Sequence, residues 1–183
     1  GVTEVAAALV AAERPVIYAG QGVHYARAWP QLKELAELLE APVTTSLQGK
    51  SAFPETHPLS LGSGGRSISK TLHKFLNDAD LIFGIGCSFS ITNYGVAMPK
   101  SARIVHATLD PADINKDVRA ELALVGDAGL TLDALLVEVR DTERAAAFFA
   151  FATTTEVAEL DREVARATSA AYAWIQRELE LRQ

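Results

Sequence analysis

The stretch that decides the fold is "ADLIFGIG", residues 79–86. Leu81, Ile82, Phe83 and Ile85 put large apolar side chains on neighbouring positions, so a strand built from them is apolar on both faces. Such strands are typical of parallel sheets that helices cover on both sides. Four further runs of this type occur along the chain: "RPVIYAG" (14–20), "APVTTS" (41–46), "ARIVHATL" (102–109) and "ELALVG" (121–126).

Segments with helical periodicity separate these strands. Leu32, Leu35 and Leu39 fall on one face of a helix expected over 26–40, and another helix is expected over about 128–140. Strands that alternate with amphipathic helices predict an α/β fold. We expect a doubly wound, Rossmann-like parallel sheet of about five or six strands, of the nucleotide-binding type, over residues 1–141.

The residues after 141 follow a different pattern. Residues 142–155 are rich in Ala, Phe and Thr without a clear period, and we expect a linker there. Residues 156–183 are expected to form a C-terminal helical extension whose apolar stripe includes Trp174. That helix is predicted to lead toward a missing third domain.

Charge and composition exclude several classes of protein. The chain has 183 residues and a formal net charge of -6, which disfavours nucleic acid as a partner. Its single cysteine, Cys87, excludes an internal disulfide framework and a cysteine-rich zinc site, and fits a cytoplasmic location. No apolar run reaches the length of a membrane span, so no membrane partner is expected.

Small and acidic residues follow several of the predicted strands, where ligands of doubly wound sheets bind. The candidates for cofactor binding at these positions are Gly20, Gly22, Gly86, Ser88, Asp110 and Asp127. Glycine turns after strands are common in any case. Both aspartates also precede predicted helices, so helix capping explains them equally well without a ligand.

A glycine-rich segment, "FPETHPLSLGSGGRSIS" (53–69), offers a further candidate. Its cofactor-binding candidates are Gly62, Ser63, Gly64, Gly65, Arg66 and Ser67. The glycines would leave backbone N–H groups open to a phosphate, and a helix expected to begin near Ser67 would add its positive end. Arg66 would add a bidentate contact. The alternative is a mobile loop with a solvated arginine.

The sequence indicates no catalytic and no metal-binding residues. Its histidines are scattered and none has a second ligand type at short spacing. His106, inside a strand, is expected to be a core or interface histidine. The candidate serines lack a G-x-S-x-G elbow. Cys87 is expected to be a buried structural thiol, and the alternative is a reactive thiol at the carboxyl end of its strand.

Five strings stand in order along the chain: "RPVIYAGQGV", "LAELLEAPVTTSLQGKSAFPETHPLSLG", "ADLIFGIGCSF", "ARIVHATLDPADINK" and "LVGDAGLTLDAL". Together they resemble the central domain of thiamine-diphosphate-dependent enzymes. The resemblance covers about residues 1–140. It points to the acetolactate synthase, oxalyl-CoA decarboxylase and pyruvate oxidase group.

The resemblance implies that the chain is the middle domain of a larger subunit. In the family, a pyrimidine-binding domain with an activating glutamate and a diphosphate-binding domain with a G-D-G…N motif hold thiamine diphosphate and Mg²⁺. Neither motif occurs here. The implied parent is a homo-oligomeric lyase or transferase that decarboxylates or carboligates 2-oxo acids or their CoA analogues. The chain alone is not expected to catalyse.

The resemblance also implies a nucleotide cleft, because some members bind FAD or ADP across these strand ends. FAD-binding members carry R-F-D-D-R where this chain has Ser88-Phe89-Ser90-Ile91-Thr92, so both arginines are missing. We therefore expect a vestigial or weak site that holds ADP or stays empty, without tightly bound FAD. Two alternatives stay open, a freestanding adenine-nucleotide or flavin-binding module and a pure interaction domain.

Overall fold

A computed structural model describes residues 1–65 and 67–141, and residues Gly1–Val139 form one compact unit. The strands are β1 (Pro15–Ala19), β2 (Val43–Thr45), β3 (Ser60–Ser63), β4 (Leu81–Ile85), β5 (Arg103–Thr108) and β6 (Leu122–Val125). They form one sheet in the order β3-β2-β1-β4-β5-β6, and every neighbouring pair is parallel. The predicted doubly wound α/β fold is confirmed. The linker expected at 142–155 and the helix expected at 156–183 lie outside the described residues.

Helices cover both faces of the sheet. They are α1 (Val2–Ala11), α2 (Gly22–Tyr25), α3 (Trp29–Leu38), α4 (Lys70–Asp78) and α5 (Ala128–Arg140), with a 3₁₀ turn at Pro111–Asp113. On one face, Leu9 of α1, Leu32 of α3 and Leu135 of α5 belong to a single core with alternate strand residues. On the other face, Leu72 and Leu76 of α4 join a second core.

The central strands have the burial that the sequence predicts. All five residues of β1 and all five of β4 are buried, and burying one large apolar side chain contributes about 1.5–3 kcal/mol. The expectation that "ELALVG" is apolar and covered on both faces is wrong. In β6, Ala123 and Val125 are exposed, since β6 is the edge strand and no described helix packs on that face beside β5.

The helix expected over 26–40 is shorter than predicted and spans Trp29–Leu38. The short helix α2 ends at Tyr25, Arg27 has a positive φ of 53°, and α3 begins at Trp29. Pro30 explains the new start, because proline lacks an N–H group and is tolerated in the first turn of a helix but not in its interior. The helix expected over about 128–140 is confirmed as α5.

Candidate functional site

A cleft of about 590 Å³ opens at the carboxyl ends of the strands, beside β1 and β4. The chain runs from β1 outward through β2 to β3 on one side, and from β4 outward through β5 to β6 on the other. Open parallel sheets bind ligands at such a reversal of strand order, and the volume suits a small molecule. The predicted site residues that line the cleft are Gly22, Gly86, Ser88, Asp110 and Asp127.

Glycines allow two loops to touch at this reversal. Gly20 donates its N–H to the carbonyl of Ile85 at 2.9 Å, and Gly22 donates to the carbonyl of Gly86 at 2.8 Å. A Cβ atom on Gly20 would lie 2.2 Å from the Gly86 oxygen, and Gly86 itself has a positive φ of 60°. Close packing of backbone on backbone therefore accounts for these glycines, whether or not a ligand binds.

Phe89 forms the wall of the cleft after β4. It has a positive φ of 50°, which is uncommon for a bulky residue. Its ring stacks on Tyr18 with the centroids 5.5 Å apart. A Cβ atom on Gly84 would lie 2.2 Å from the Phe89 ring, so the glycine in "ADLIFGIG" makes room for it. Phe89 and Gly84 are thus a matched pair that the sequence pattern did not indicate.

The groups beneath this wall are uncharged near neutral pH. Burial raises the pKa of the Cys87 thiol and of the Tyr18 hydroxyl each to about 12. His106 is fully buried, and burial lowers its pKa, so the imidazole is neutral. Its Nε2–H donates to the Cys87 carbonyl at 2.7 Å, while Nδ1 has no partner among the described residues. Cys87 is therefore a buried thiol and His106 a core histidine, as predicted.

Carboxylates line the other side of the cleft. Asp110 accepts the Ala112 N–H at 2.9 Å, and Asp127 accepts the Gly129 N–H at 2.8 Å, so both cap the turns that follow them. Asp113, which the sequence did not single out, also lines the cleft. Of the lining residues that the structure describes, none is Lys, Arg or His. This side disfavours an anion unless a cation accompanies it.

The glycine-rich segment differs from its prediction. Gly62 and Ser63 belong to β3 at the edge of the sheet, and the Gly64 N–H donates to the Thr45 carbonyl at 2.6 Å. The helix begins at Lys70 with Ser69 as its cap, not near Ser67. The Gly64 N–H is therefore used within the sheet, and the helix begins at Lys70 rather than near Ser67, while phosphate binding by this segment stays a prediction.

The remaining members of that segment do not line the cleft either. Gly64 and Gly65 are buried and Ser67 is exposed, and none of the three lines the 590 Å³ cleft. Gly20, at the loop crossing, does not line it. Arg66 lies outside the described residues. Their role in cofactor binding stays a prediction.

Several lining residues were missed by the sequence reasoning. They include Tyr18, Gln21, Gln48 and Tyr94. Gln21 could have been found, since it stands directly between two glycines that follow β1. Gln48 and Tyr94 lie in long connections, and only the folded chain shows that these connections reach the cleft.

No metal site or membrane span is present in the part of the chain that the structure describes. Across residues 1–65 and 67–141, no group of three or more His, Cys, Asp or Glu side chains is placed to hold a metal ion. Within the same residues no helix has the length and hydropathy needed to cross a bilayer.

Comparison with known proteins gives consistent matches. Residues 2–135 match the family described as "Thiamine pyrophosphate enzyme, central domain". A protein of Methanocaldococcus jannaschii, assigned as an acetolactate synthase large subunit, is 42% identical over 146 residues, which are 75% of this chain and 25% of that protein. Acetolactate synthase isozyme 3 large subunit of Escherichia coli K12 is 39% identical over 130 residues, which are 70% of this chain and 23% of that protein.

A solved structure agrees with these relatives. It comes from Mycobacterium smegmatis and is assigned to the thiamin diphosphate-dependent enzymes. It matches with a TM-score of 0.64 and 29% identity, over 78% of this chain and 28% of that one. The chain thus spans about a quarter of the length of the curated relatives it matches.

Proposed function

Since this chain belongs to the family of thiamine pyrophosphate enzyme central domains, we propose that it is the middle domain of an acetolactate synthase-like enzyme. The parent would decarboxylate or carboligate 2-oxo acids or their CoA analogues. The observation that carries the proposal is the extent of the family match, which runs from α1 through every strand and into α5. The role of this chain in the parent is structural.

Thiamine diphosphate with Mg²⁺ supplies an electron sink for such reactions when it is bound. The described residues do not fit that cofactor. The cleft presents three carboxylates and no described cation to a diphosphate, and no described cluster could hold the metal ion. We therefore assign the cofactor to the pyrimidine- and diphosphate-binding domains of the same parent chain, and no catalytic residue to this one.

The cleft favours a second, minor function as a weak nucleotide site. Its position and volume suit an adenosine, whose ribose hydroxyls could donate to Asp110 or Asp127. Its charge does not suit phosphates, because each would approach three carboxylates, of which only Asp113 has a described cation beside it, Lys116 at 4.0 Å. We infer weak ADP binding or none, and no tightly bound FAD. The same cleft would serve a freestanding adenine-nucleotide or flavin-binding module.

The location and assembly of the parent are part of the proposal. Cys87 is a free, buried thiol, which suits the reducing cytoplasm. We propose that the parent is a cytoplasmic homo-oligomer.

The experiment is an assay of the complete product of the gene beside this chain alone. With thiamine diphosphate and Mg²⁺, the complete product is expected to consume pyruvate or a related 2-oxo acid. The isolated chain is expected neither to do so nor to show heat on calorimetric titration with the cofactor. Micromolar cofactor binding by the chain alone would refute the assignment to other domains. A complete product that lacks the two cofactor-binding domains would favour the freestanding module.

A further inference from the structure

A second cleft, of about 450 Å³, lies on the face of the sheet that α4 covers. Its apolar lining includes Met98, Ile104 and Val118, all of which belong to or pack against the core of that face. Tyr18 and Phe89 line both this cleft and the one at the strand ends. The two rings therefore stand at the junction of two cavities of different chemistry.

Two aromatic rings line the second cleft, and one of them, Tyr18, carries a hydroxyl group that can donate a hydrogen bond. The rings of Tyr18 and Phe89 are nearly parallel, at 13°, and each residue is 7% exposed. The Tyr18 hydroxyl makes no hydrogen bond to any residue in the described part of the chain. Burial raises its pKa to about 12, so it keeps its proton and can donate. A phenolic hydroxyl can donate one hydrogen bond, and Tyr18 is one of the residues that line the cleft.

The rim of this cleft is cationic, in contrast to the first. Lys100 and Arg119 line it, and neither makes an ion pair within residues 1–65 and 67–141. Asp117 is the one carboxylate among the described lining residues. It accepts the Ile91 N–H at 2.9 Å. The net formal charge of this rim is positive.

We propose that the second cleft binds a small organic anion with a flat apolar body, a carboxylate or a sulfonate. Its body lies against the Tyr18–Phe89 stack, Lys100 and Arg119 neutralise its charge, and the Tyr18 hydroxyl donates to one of its oxygens. This site does not depend on the proposed function of the parent. It differs from the strand-end cleft in the sign of the charge that it accepts.

The test compares two dyes of nearly the same shape on the full chain by fluorescence titration. The anion is 8-anilinonaphthalene-1-sulfonate, and its neutral counterpart is N-phenyl-1-naphthylamine, which lacks the sulfonate. We expect one saturable site that binds the anion at least about tenfold more tightly than the neutral dye, because more than one contact to the sulfonate contributes. Equal affinity for both dyes, or no saturable binding of the anion, would overturn the proposal.

Variants locate the site. Lys100→Gln and Arg119→Gln are each expected to lower the affinity for the anionic dye about threefold to tenfold. The affinity for the neutral dye should stay unchanged. Lys33→Gln, at an exposed lysine of α3 that does not line the cleft, is the control and should change the affinity for neither dye. Tyr18→Phe keeps the ring stack but removes the hydroxyl, and it should lower the affinity for the anionic dye about threefold to tenfold. Thermal melts confirm that each variant is folded, and a folded set in which no variant changes the anion's affinity refutes the assignment.

Discussion

Replacing Gly20 with alanine is predicted to force apart the two loops that meet at the strand ends. The new Cβ atom would lie 2.2 Å from the Gly86 carbonyl oxygen and 2.6 Å from the Cα atom of Cys87. Both are backbone atoms, so no side-chain rotation relieves the clash. Comfortable contact needs roughly 3.5 Å, so the loops must separate by about 1 Å. The hydrogen bonds from Gly20 to Ile85 and from Gly22 to Gly86 would lengthen as a result.

The magnitude follows from these two effects. Overpacking a tight site costs about 1–3 kcal/mol, and each weakened backbone hydrogen bond costs up to about 1 kcal/mol more. We expect Gly20→Ala to lower the free energy of unfolding by about 3 kcal/mol. That is a large fraction of the roughly 5–15 kcal/mol that holds a typical domain together.

Three other glycines separate the clash from backbone strain. Gly62 has a φ of +78° but nothing within 4 Å of an added Cβ, so Gly62→Ala should cost only about 1–2 kcal/mol, from the left-handed conformation. In Gly86→Ala the backbone strain of a positive φ is joined by a contact of 2.8 Å between the new Cβ atom and the Val23 nitrogen. This variant should therefore lower the free energy of unfolding more than the strain alone or that contact alone would. Gly126→Ala meets Thr131 at 3.4 Å without positive φ, and should stay within about 0.5 kcal/mol of the parent chain.

Urea unfolding followed by circular dichroism measures these differences. With a slope of about 2 kcal/mol per molar urea, a loss of 3 kcal/mol lowers the midpoint by about 1.5 M. A Gly20→Ala midpoint within about 0.3 M of the parent chain would refute the reasoning, since it would mean that the loops reorganise without cost.

The purified chain is expected to be colourless, and nanomolar FAD binding by calorimetry would contradict this. Asp110→Asn with Asp127→Asn keeps both caps but removes two charges that repel phosphates, so it should raise the affinity for ADP relative to that for adenosine by about threefold to tenfold. Because burial raises the pKa of Cys87 and Tyr18 to about 12, the folded chain keeps protons that the unfolded chain releases. The free energy of unfolding should keep its full value below about pH 9 and then fall up to about pH 12, from about pH 9 because of Cys87 and from about pH 10 because of Tyr18. The fall is up to about 1.4 kcal/mol per pH unit for each group and should be flatter in Cys87→Ala. Burial lowers the pKa of His106, so the unfolded chain takes up a proton more readily than the folded chain does. The free energy of unfolding should therefore fall as the pH drops below about 6.5. His106→Gln should reduce that fall, and an unchanged slope between pH 7 and 5 would show that His106 is not its source.

The apolar pattern of a strand was enough to predict the sheet. "ADLIFGIG" and "RPVIYAG" can bury both faces only inside a covered parallel sheet, and β4 and β1 are its fully buried central pair. Local chemistry also predicted the caps, because an aspartate bonds the N–H groups two or three residues ahead, as Asp127 does. These features depend on residues close together in sequence, which is why the sequence determined them.

Tertiary structure alone decided the rest. The segment Ser60–Ser63 has partly buried residues and a glycine, with no strand pattern of its own, and it is a strand because it pairs with Val43–Thr45. The Gly64 N–H, expected to be free, donates to the Thr45 carbonyl of the neighbouring strand, which no local pattern predicts. Likewise Tyr18 and Phe89 stack although they are far apart in the chain. The physical reason is that side-chain periodicity records burial within one element, whereas hydrogen-bond partners and cleft walls depend on which distant segments meet.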